Sequence, residues 1–486
     1  MTIENNQKIV DQTPEQYKPI MQAFADLCAV PHGSGDRKAI TQHFVDWAKK
    51  HNFATTVDET DNIVIKVPAT PGFEKAPVIC LQGHTDMVAV KAPTSPHDFA
   101  KDPIRLRIDN GWLYATDTTL GADNGMGIAL GIALVLDKSL KHGPIELLLT
   151  SDEEIGLIGA SALKKCLDSK YLLNLDSEDV GEICVSCAGG FRVIYEKEYK
   201  QESIPEGYEC FDIKIDGYLG GHSGAEIHLY RASAIKQMVR LLKAIQSEVR
   251  IISISGGQAH NAIPAVAEVR VAAKKDFSFE KIQKLFKAIH EPYAPKEKDA
   301  KIVVQKAAME KTCMSEEDTK HLINFILMSP QGPMRFSQEV KDFVETSFTT
   351  ATIETKGNTI HILGSGRSCY EEEIDQLYNQ CVALAELAGW KVSEQLSRYA
   401  GWPAKMESPL IKIVEEIYKK HHSHVNIAAI HAGLEAGMIC KQHPIMEAVS
   451  IGPTIKSPHS PQERCEISTI YTLYEVIKEV LEKLAK

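Results

Sequence analysis

Between Pro77 and Asp176 the chain alternates short apolar runs with acidic or histidine-bearing loops: PVICLQGHTD, TLGADNGMGIALGIALVL, PIELLLTSDEEIG and YLLNLDSED follow one another. The short runs have the length of strands, and Gly125 to Leu136 is long enough for a helix. Strands alternating with helices predict a largely parallel sheet covered by helices, an α/β fold. Upstream, Met21, Phe24 and Leu27, then Ile40, Phe44 and Trp47, recur at helical spacing, so residues 16–52 read as helical. After Cys187-Ala188-Gly189-Gly190 the texture changes. FRVIYEKEY, CFDIKID, IISIS, AVAEVRVAA, TSFTTATIET and TIHIL alternate apolar with polar residues, as half-exposed antiparallel strands do. Helices are expected between them at Ala225 to Ser247 and Glu371 to Leu387. Past AGWPAK (400–405) the α/β pattern returns, with a helix from Leu410 to His421, the stretches NIAAIHAGLEAG and MEAVSIGPTIKSPHSPQE, and a closing helix to Leu484. The chain therefore divides into 1–188, 189–401 and 402–486, and if His459 joins the acidic residues of the first part, the middle α+β part is an insertion between two halves of one sheet domain.

At 486 residues, two domains are expected. A formal net charge of −11 argues against nucleic acid as a partner, because phosphate binding needs clustered Lys and Arg. The start MTIENNQKIVDQTPEQY has neither the basic end nor the apolar core of a secretory signal, and no apolar run approaches the ~20 residues that span a bilayer. No membrane association and a cytoplasmic location are expected. Of the eleven cysteines only Cys184 and Cys187 are closely spaced; without a second pair they read as reduced structural thiols rather than a zinc knuckle.

Candidate chemistry gathers where the apolar runs end, the usual place for sites in α/β proteins. His84 and Asp86 end one run, two apart, so the carboxylate can orient the imidazole; such pairs are also ordinary surface residues. Asp123 precedes a glycine-rich helix start and fits a metal ligand or an N-cap. Glu153 and Glu154 are adjacent, so their side chains diverge, one free to ligate and one to act as a base; solvated acidic pairs look the same. Asp176 ends YLLNL as a ligand or a turn former, and His459, between Pro458 and Pro461, is a ligand or an exposed loop residue. So many acids at neighbouring strand ends would repel one another unless a cation lay between them.

In this order, QGHTD, TTLGADNG, TSDEEIGLIGA, NLDSED, GGHSG, NAIP, IHAGLEAG and SIGPTIKSPHSPQE resemble the aminoacyl-histidine (Xaa-His) dipeptidases of the M20 metallopeptidase family. The resemblance spans most of the chain; Met309 to Arg335 fits least, and Asp117 stands where a glycine is expected. It implies a zinc-peptidase-like fold, with a mixed, mainly parallel sheet and the α+β insertion as a lid. It further implies a dinuclear centre of two Zn²⁺ per subunit, with Mn²⁺ or Co²⁺ tolerated: His84 and Asp176 on one ion, Glu154 and His459 on the other, Asp123 bridging, Asp86 orienting His84 and Glu153 as general base. His222 in GGHSG resembles a lid histidine that meets substrate. Asn261 and Arg367 look like lid residues, Arg367 suited to a substrate carboxylate. The expected substrates are small unblocked dipeptides, and a homodimer is expected. Hinges are expected near Gly189-Gly190 and Gly401. His32, His97 and His443 read as loop or surface residues, and the HHSH run at 421–424 as too isolated for a metal site.

An amidohydrolase acting on N-acylated amino acids would share every metal residue. A metal-stabilised binding protein would have no use for Glu153, and a phosphoesterase would need a phosphate cradle that the sequence lacks.

Overall fold

Every residue of strands Ile79–His84, Ile145–Thr150 and Tyr171–Asn174 is buried. They lie side by side and parallel, as near-continuous apolar strands must when helices cover them. In the computed structural model, which describes residues 3–164, 166–275 and 277–486, the chain forms two units. The first comprises Met1–Cys187, Trp402–Ala429 and Leu434–Lys486, and the second Ala188–Gly401 with Ile430–Gly433.

The eight-stranded sheet of the first unit runs Ala54–Val57, Ile63–Val67, Ile145–Thr150, Ile79–His84, Tyr171–Asn174, Glu447–Ser450, Glu182–Cys187, Asn426–Ile430. Its four central strands are parallel, and antiparallel pairs flank them on both sides. Helix Ala122–Leu136 is apolar almost all round and is buried along nearly its whole length. It packs on strand Ile79–His84 and on helices Lys18–Leu27 and Ile467–Leu484. A smaller antiparallel sheet orders Ile455–Lys456, Arg464–Glu466, Trp112–Ala115 and Leu106–Asp109. Among the described residues no helix is long and apolar enough to cross a membrane.

The second unit is built on an antiparallel sheet in the order Lys301–Lys306, Tyr208–Asp216, Ala267–Lys274, Val249–Gly256, Val344–Lys356, Thr359–Ser368, Gly189–Glu198, Lys391–Val392, with Gly332–Phe336 and Leu396–Tyr399 added beside it. Burial alternates along these strands, so one face is dry and the other polar. Helices Ala234–Ala244, Glu316–Met328 and Glu371–Leu387 contribute to the dry core, which includes Phe191, Tyr195, Met238, Phe325 and Phe348.

Two expected elements differ. The N-terminal helical stretch is two helices, Lys18–Leu27 and Lys38–Lys50, because Pro31, Gly33 and Gly35 interrupt the ladder between them. The helix expected from Ala225 starts only at Ala234: a short turn, Ile227–Leu229, ends at Tyr230 with φ +52°, and the buried Glu297 carboxylate accepts the Ala232 amide at 3.1 Å. Gly189 and Gly190 open a strand, just past the boundary between the units at Cys187 and Ala188. A side chain at Gly190 would meet the Tyr399 hydroxyl at 2.9 Å, so close packing explains the glycine. Asp117, where glycine was expected, has φ +59°, a conformation that aspartate tolerates better than most residues.

Candidate active site

Because the central strands are parallel, the loops that follow them share one edge. His84 is the last residue of its strand, Asp176 lies two beyond strand Tyr171–Asn174, Glu153 and Glu154 follow strand Ile145–Thr150, and Asp123 sits in the first turn of helix Ala122–Leu136. His459 reaches the same edge from the loop after Ile455–Lys456. His84 Nε2 is 3.1 Å from Asp123 Oδ1 and 3.5 Å from Asp176 Oδ1. His459 Nε2 is 3.3 Å from Asp123 Oδ2 and 3.0 Å from Glu154 Oε2. Two groups able to hold a cation therefore share Asp123, His84–Asp123–Asp176 and Asp123–Glu154–His459, and a third joins His84, Glu153 and Glu154.

Asp86 organises this edge. Its main-chain carbonyl lies 2.9 Å from His84 Nδ1, nearer than its carboxylate at 3.5 Å, so Nδ1 carries the proton and Nε2 faces the acids. The Asp86 carboxylate instead accepts the amides of Glu153 (2.9 Å) and Glu154 (3.3 Å) and the Ser34 hydroxyl (2.7 Å), which fixes the loop bearing both glutamates.

Protons are redistributed accordingly. Burial pulls the His84 pKa down, but the charge of Asp176 and hydrogen bonds with Asp123, Asp176 and Asp86 outweigh it, and the imidazole is held well above its usual value. Hydrogen bonds with Asp123 and Glu154 raise His459 to about 11. Burial opposes ionisation of Asp123, yet its bonds to His459 and His84 prevail and keep it below the usual carboxylate range. Burial lifts Asp176 to about 7 and carries Glu153 well above the ordinary glutamate range. Asp176 Oδ1 is buried, and His84 Nε2 faces it at a long 3.5 Å. An all nitrogen and oxygen donor set with a weakly paired buried carboxylate oxygen fits hard or borderline divalent cations such as Zn²⁺ or Mn²⁺.

Several residues escaped the sequence reading. Glu178 is pushed to about 7 by burial and by the charge of Asp123. Glu435, fully buried, accepts Gln82 Nε2 and Thr150 Oγ1 at 2.6 Å each. Glu463 takes up the amides around Asp123. All three lie within the motifs that carry the resemblance, but those motifs gave them no role, and only tertiary burial distinguishes them. His32 and His443 are buried rather than exposed: His32 Nδ1 bonds the Val30 carbonyl at 2.6 Å, and His443 accepts the Leu167 amide. His421 pairs with Glu479 at 2.9 Å. Cys184 and Cys187 are buried thiols.

In the second unit, strand register sets Ser347, Arg367, Gly190 and Tyr399 in one row. Arg367 donates from Nη1 to the Tyr399 hydroxyl at 2.7 Å, while its Nε is buried without a partner. His431 contacts Ser347 Oγ through Nε2 at 2.7 Å, and its Nδ1 is also buried and unpartnered. His222 Nδ1 accepts the amides of Gly224 and Ala225 at 3.2 and 2.9 Å, which leaves the proton on Nε2. Burial and then Arg367 lower His222 to about 4, so it is a neutral donor. Asn261 presents its carbonyl to the Ser223 amide at 2.8 Å, beside the bridge between His222 and Ala262. His222, Arg367, Tyr399 and His431 thus form one polar cluster; Tyr399 and His431 had no role in the sequence reading.

Residues 80–483 match the pattern defining the family described as peptidase family M20/M25/M40. The chain belongs to that family. Over 474 residues this M20 peptidase is 37% identical to the cytosol non-specific dipeptidase of Escherichia coli (strain K12), covering 96% of this chain and 98% of that protein. Its structure is similar to that of the aminoacylhistidine dipeptidase from Vibrio alginolyticus, with a TM-score of 0.90, 37% identity and 98% of each chain covered. The aminopeptidase PepT of Bacillus cereus ATCC 10987, 17% identical with a TM-score of 0.57 over 97% of this chain and 99% of that one, shares the fold.

Proposed function

We propose that this M20 peptidase is a dinuclear metal-dependent dipeptidase that hydrolyses unblocked dipeptides, including those ending in histidine. The observation that carries the reading is the division of Asp123: one oxygen faces His84 and the other faces His459, with Asp176 and Glu154 on either side. His84 and Asp176 would hold one ion, Glu154 and His459 the other, and Asp123 both, Zn²⁺ being the preferred cation and Mn²⁺ or Co²⁺ substitutes. When bound, such a pair supplies an acidified water and polarises the scissile carbonyl.

The remaining chemistry belongs to the chain. Glu153 lies among the donors without being needed as a ligand; it accepts the water proton and returns it to the departing amine, which must be protonated to leave. Asp86 keeps His84 and the 153–154 loop in place. His222 offers its Nε2 proton to the charge that develops on the carbonyl oxygen. Arg367, with an unused Nε, pairs with the substrate carboxylate, and Asn261 contributes beside His222. Location in the cytoplasm and assembly as a homodimer belong to the same proposal.

The test is hydrolysis of Ala-His, β-Ala-His and Gly-Gly beside N-acetyl- and N-succinyl-amino acids, using chelated enzyme restored with Zn²⁺, Mn²⁺ or Co²⁺. Metal-dependent cleavage of the free dipeptides is expected. Cleavage of the acylated substrates alone would replace this reading with the amidohydrolase.

A further inference from the structure

We infer that Glu463 is a positioning residue that couples the two loops bearing Asp123 and His459, and so sets the geometry of one side of the dinuclear centre; the inference rests on the metal reading above. Glu463 is 2% exposed. Its Oε2 accepts the amides of Leu120 (2.7 Å) and Gly121 (3.1 Å), and its Oε1 those of Ala122 (2.8 Å) and, at 3.4 Å, Asp123. These consecutive amides open helix Ala122–Leu136, where intrahelical partners are lacking and the helix dipole favours an anion. Gly121, the residue before the helix, has no side chain to cap them. The carboxylate that does so comes from a loop more than three hundred residues away.

That loop carries His459. It leaves the small sheet after Ile455–Lys456 and returns to it at Arg464–Glu466, which pairs with Trp112–Ala115. Between these anchors the Glu463 amide closes a turn on the Ser460 carbonyl at 3.0 Å, and Ser460 Oγ bonds the Ser457 carbonyl at 2.8 Å. Glu463 therefore holds the start of the Asp123 helix while its own backbone fixes the turn behind His459. Asp123 is non-helical at φ −83° and ψ 105°, the conformation in which its oxygens divide between the two histidines. A local serine or aspartate cap would satisfy the same amides but would leave the His459 loop untied.

A mere helix cap and a coupling residue differ in one measurable respect. Loss of a cap weakens the whole fold, whereas loss of the coupling weakens the His459-bearing side beyond any effect carried through Asp123, which both sides share. The experiment follows Co²⁺ uptake by visible absorption under chelator competition, using the full chain as wild type, Glu463→Gln, Glu463→Asp, His459→Ala and His84→Ala; the histidine variants identify which binding step belongs to which side. Glutamine keeps the shape but turns an amide NH₂ toward backbone donors, and aspartate keeps the charge but falls short of them. The step lost in His459→Ala should weaken about 10- to 100-fold in Glu463→Gln, and by less in Glu463→Asp, with the other step within about threefold of wild type. Equal weakening of both steps, or of neither, in the two Glu463 variants would overturn the coupling role while leaving the metal centre standing. A wild type that takes up no Co²⁺, or a His459→Ala protein with both steps intact, would instead overturn the metal reading itself.

Discussion

Loading the cluster with metal should expel protons, and the number follows from the site. In the metal-free protein His84 is held well above its usual pKa and His459 at about 11, which favours the imidazolium form of both at pH 7. A ligating imidazole must be neutral at the nitrogen facing the ion. Each histidine therefore gives up one proton, and Asp176, at about 7, adds part of another. The ligands alone account for about two to two and a half protons per pair of ions at pH 7, and the raised carboxyl groups beside them add to that number. The sign is that of groups whose pKa is raised in the metal-free fold: proton competition is full at neutral pH and fades as pH rises toward the His459 value. The overall binding constant should thus increase at least about a hundredfold per pH unit in this range, two protons or more being displaced. Calorimetric titration with Co²⁺ or Mn²⁺ in buffers of different ionisation enthalpy measures the proton count directly. Uptake of two ions with fewer than one proton released would refute the assignment of both histidines as ligands.

Replacement of Glu153 by glutamine keeps its volume but removes its ability to accept a proton; dipeptide turnover should fall about 10²- to 10⁴-fold with metal content unchanged. More than a tenth of wild-type activity in fully loaded Glu153→Gln protein would remove Glu153 from the mechanism. In the second unit, Gly364→Ala would set a methyl 2.3 Å from Cζ of the fully buried Phe348, an overpacking expected to cost about 1–3 kcal/mol. Phe348→Leu should recover part of that loss, a coupling of about 0.5–3 kcal/mol by urea denaturation, and strictly additive effects would contradict the packing argument.

Much of this architecture was legible because burial and period coincide. The central parallel strands are apolar on both faces and the strands of the second unit alternate, so each class announced itself by its pattern. The failures occurred where one residue overrode its neighbours. Tyr230 in the left-handed region and Glu297 on the Ala232 amide delay a helix that the apolar spacing alone would begin earlier. His84, Asp86, Asp123, Glu153, Glu154, Asp176 and His459 stood out because each interrupts or follows an apolar run. Glu463 and His431 lie in motifs that carry the resemblance yet had no role there, and Tyr399 lies in none; the partners of all three are distant in sequence, so only the fold shows what they touch.

The buried acids also explain why these proton positions belong together. The carboxyl groups of Asp86, Asp123, Glu153, Glu154, Asp176, Glu178, Glu435 and Glu463 outnumber the two imidazoles of His84 and His459. In a poorly solvated pocket such an excess of negative charge cannot stand fully ionised. Without a cation the protein settles it by holding protons: Asp176, Glu178, Glu435 and Glu463 all rise to about 7, burial being the largest cause in each case, and the histidines retain theirs. Two divalent ions held among the oxygens of Asp123, Glu154 and Asp176 would offset that excess charge and reduce the need for those protons. Glu153 would then be released from its own raised pKa toward the range in which it can take a proton from water and give it back, so under the proposed mechanism the charge that would draw metals in would also tune the base beside them.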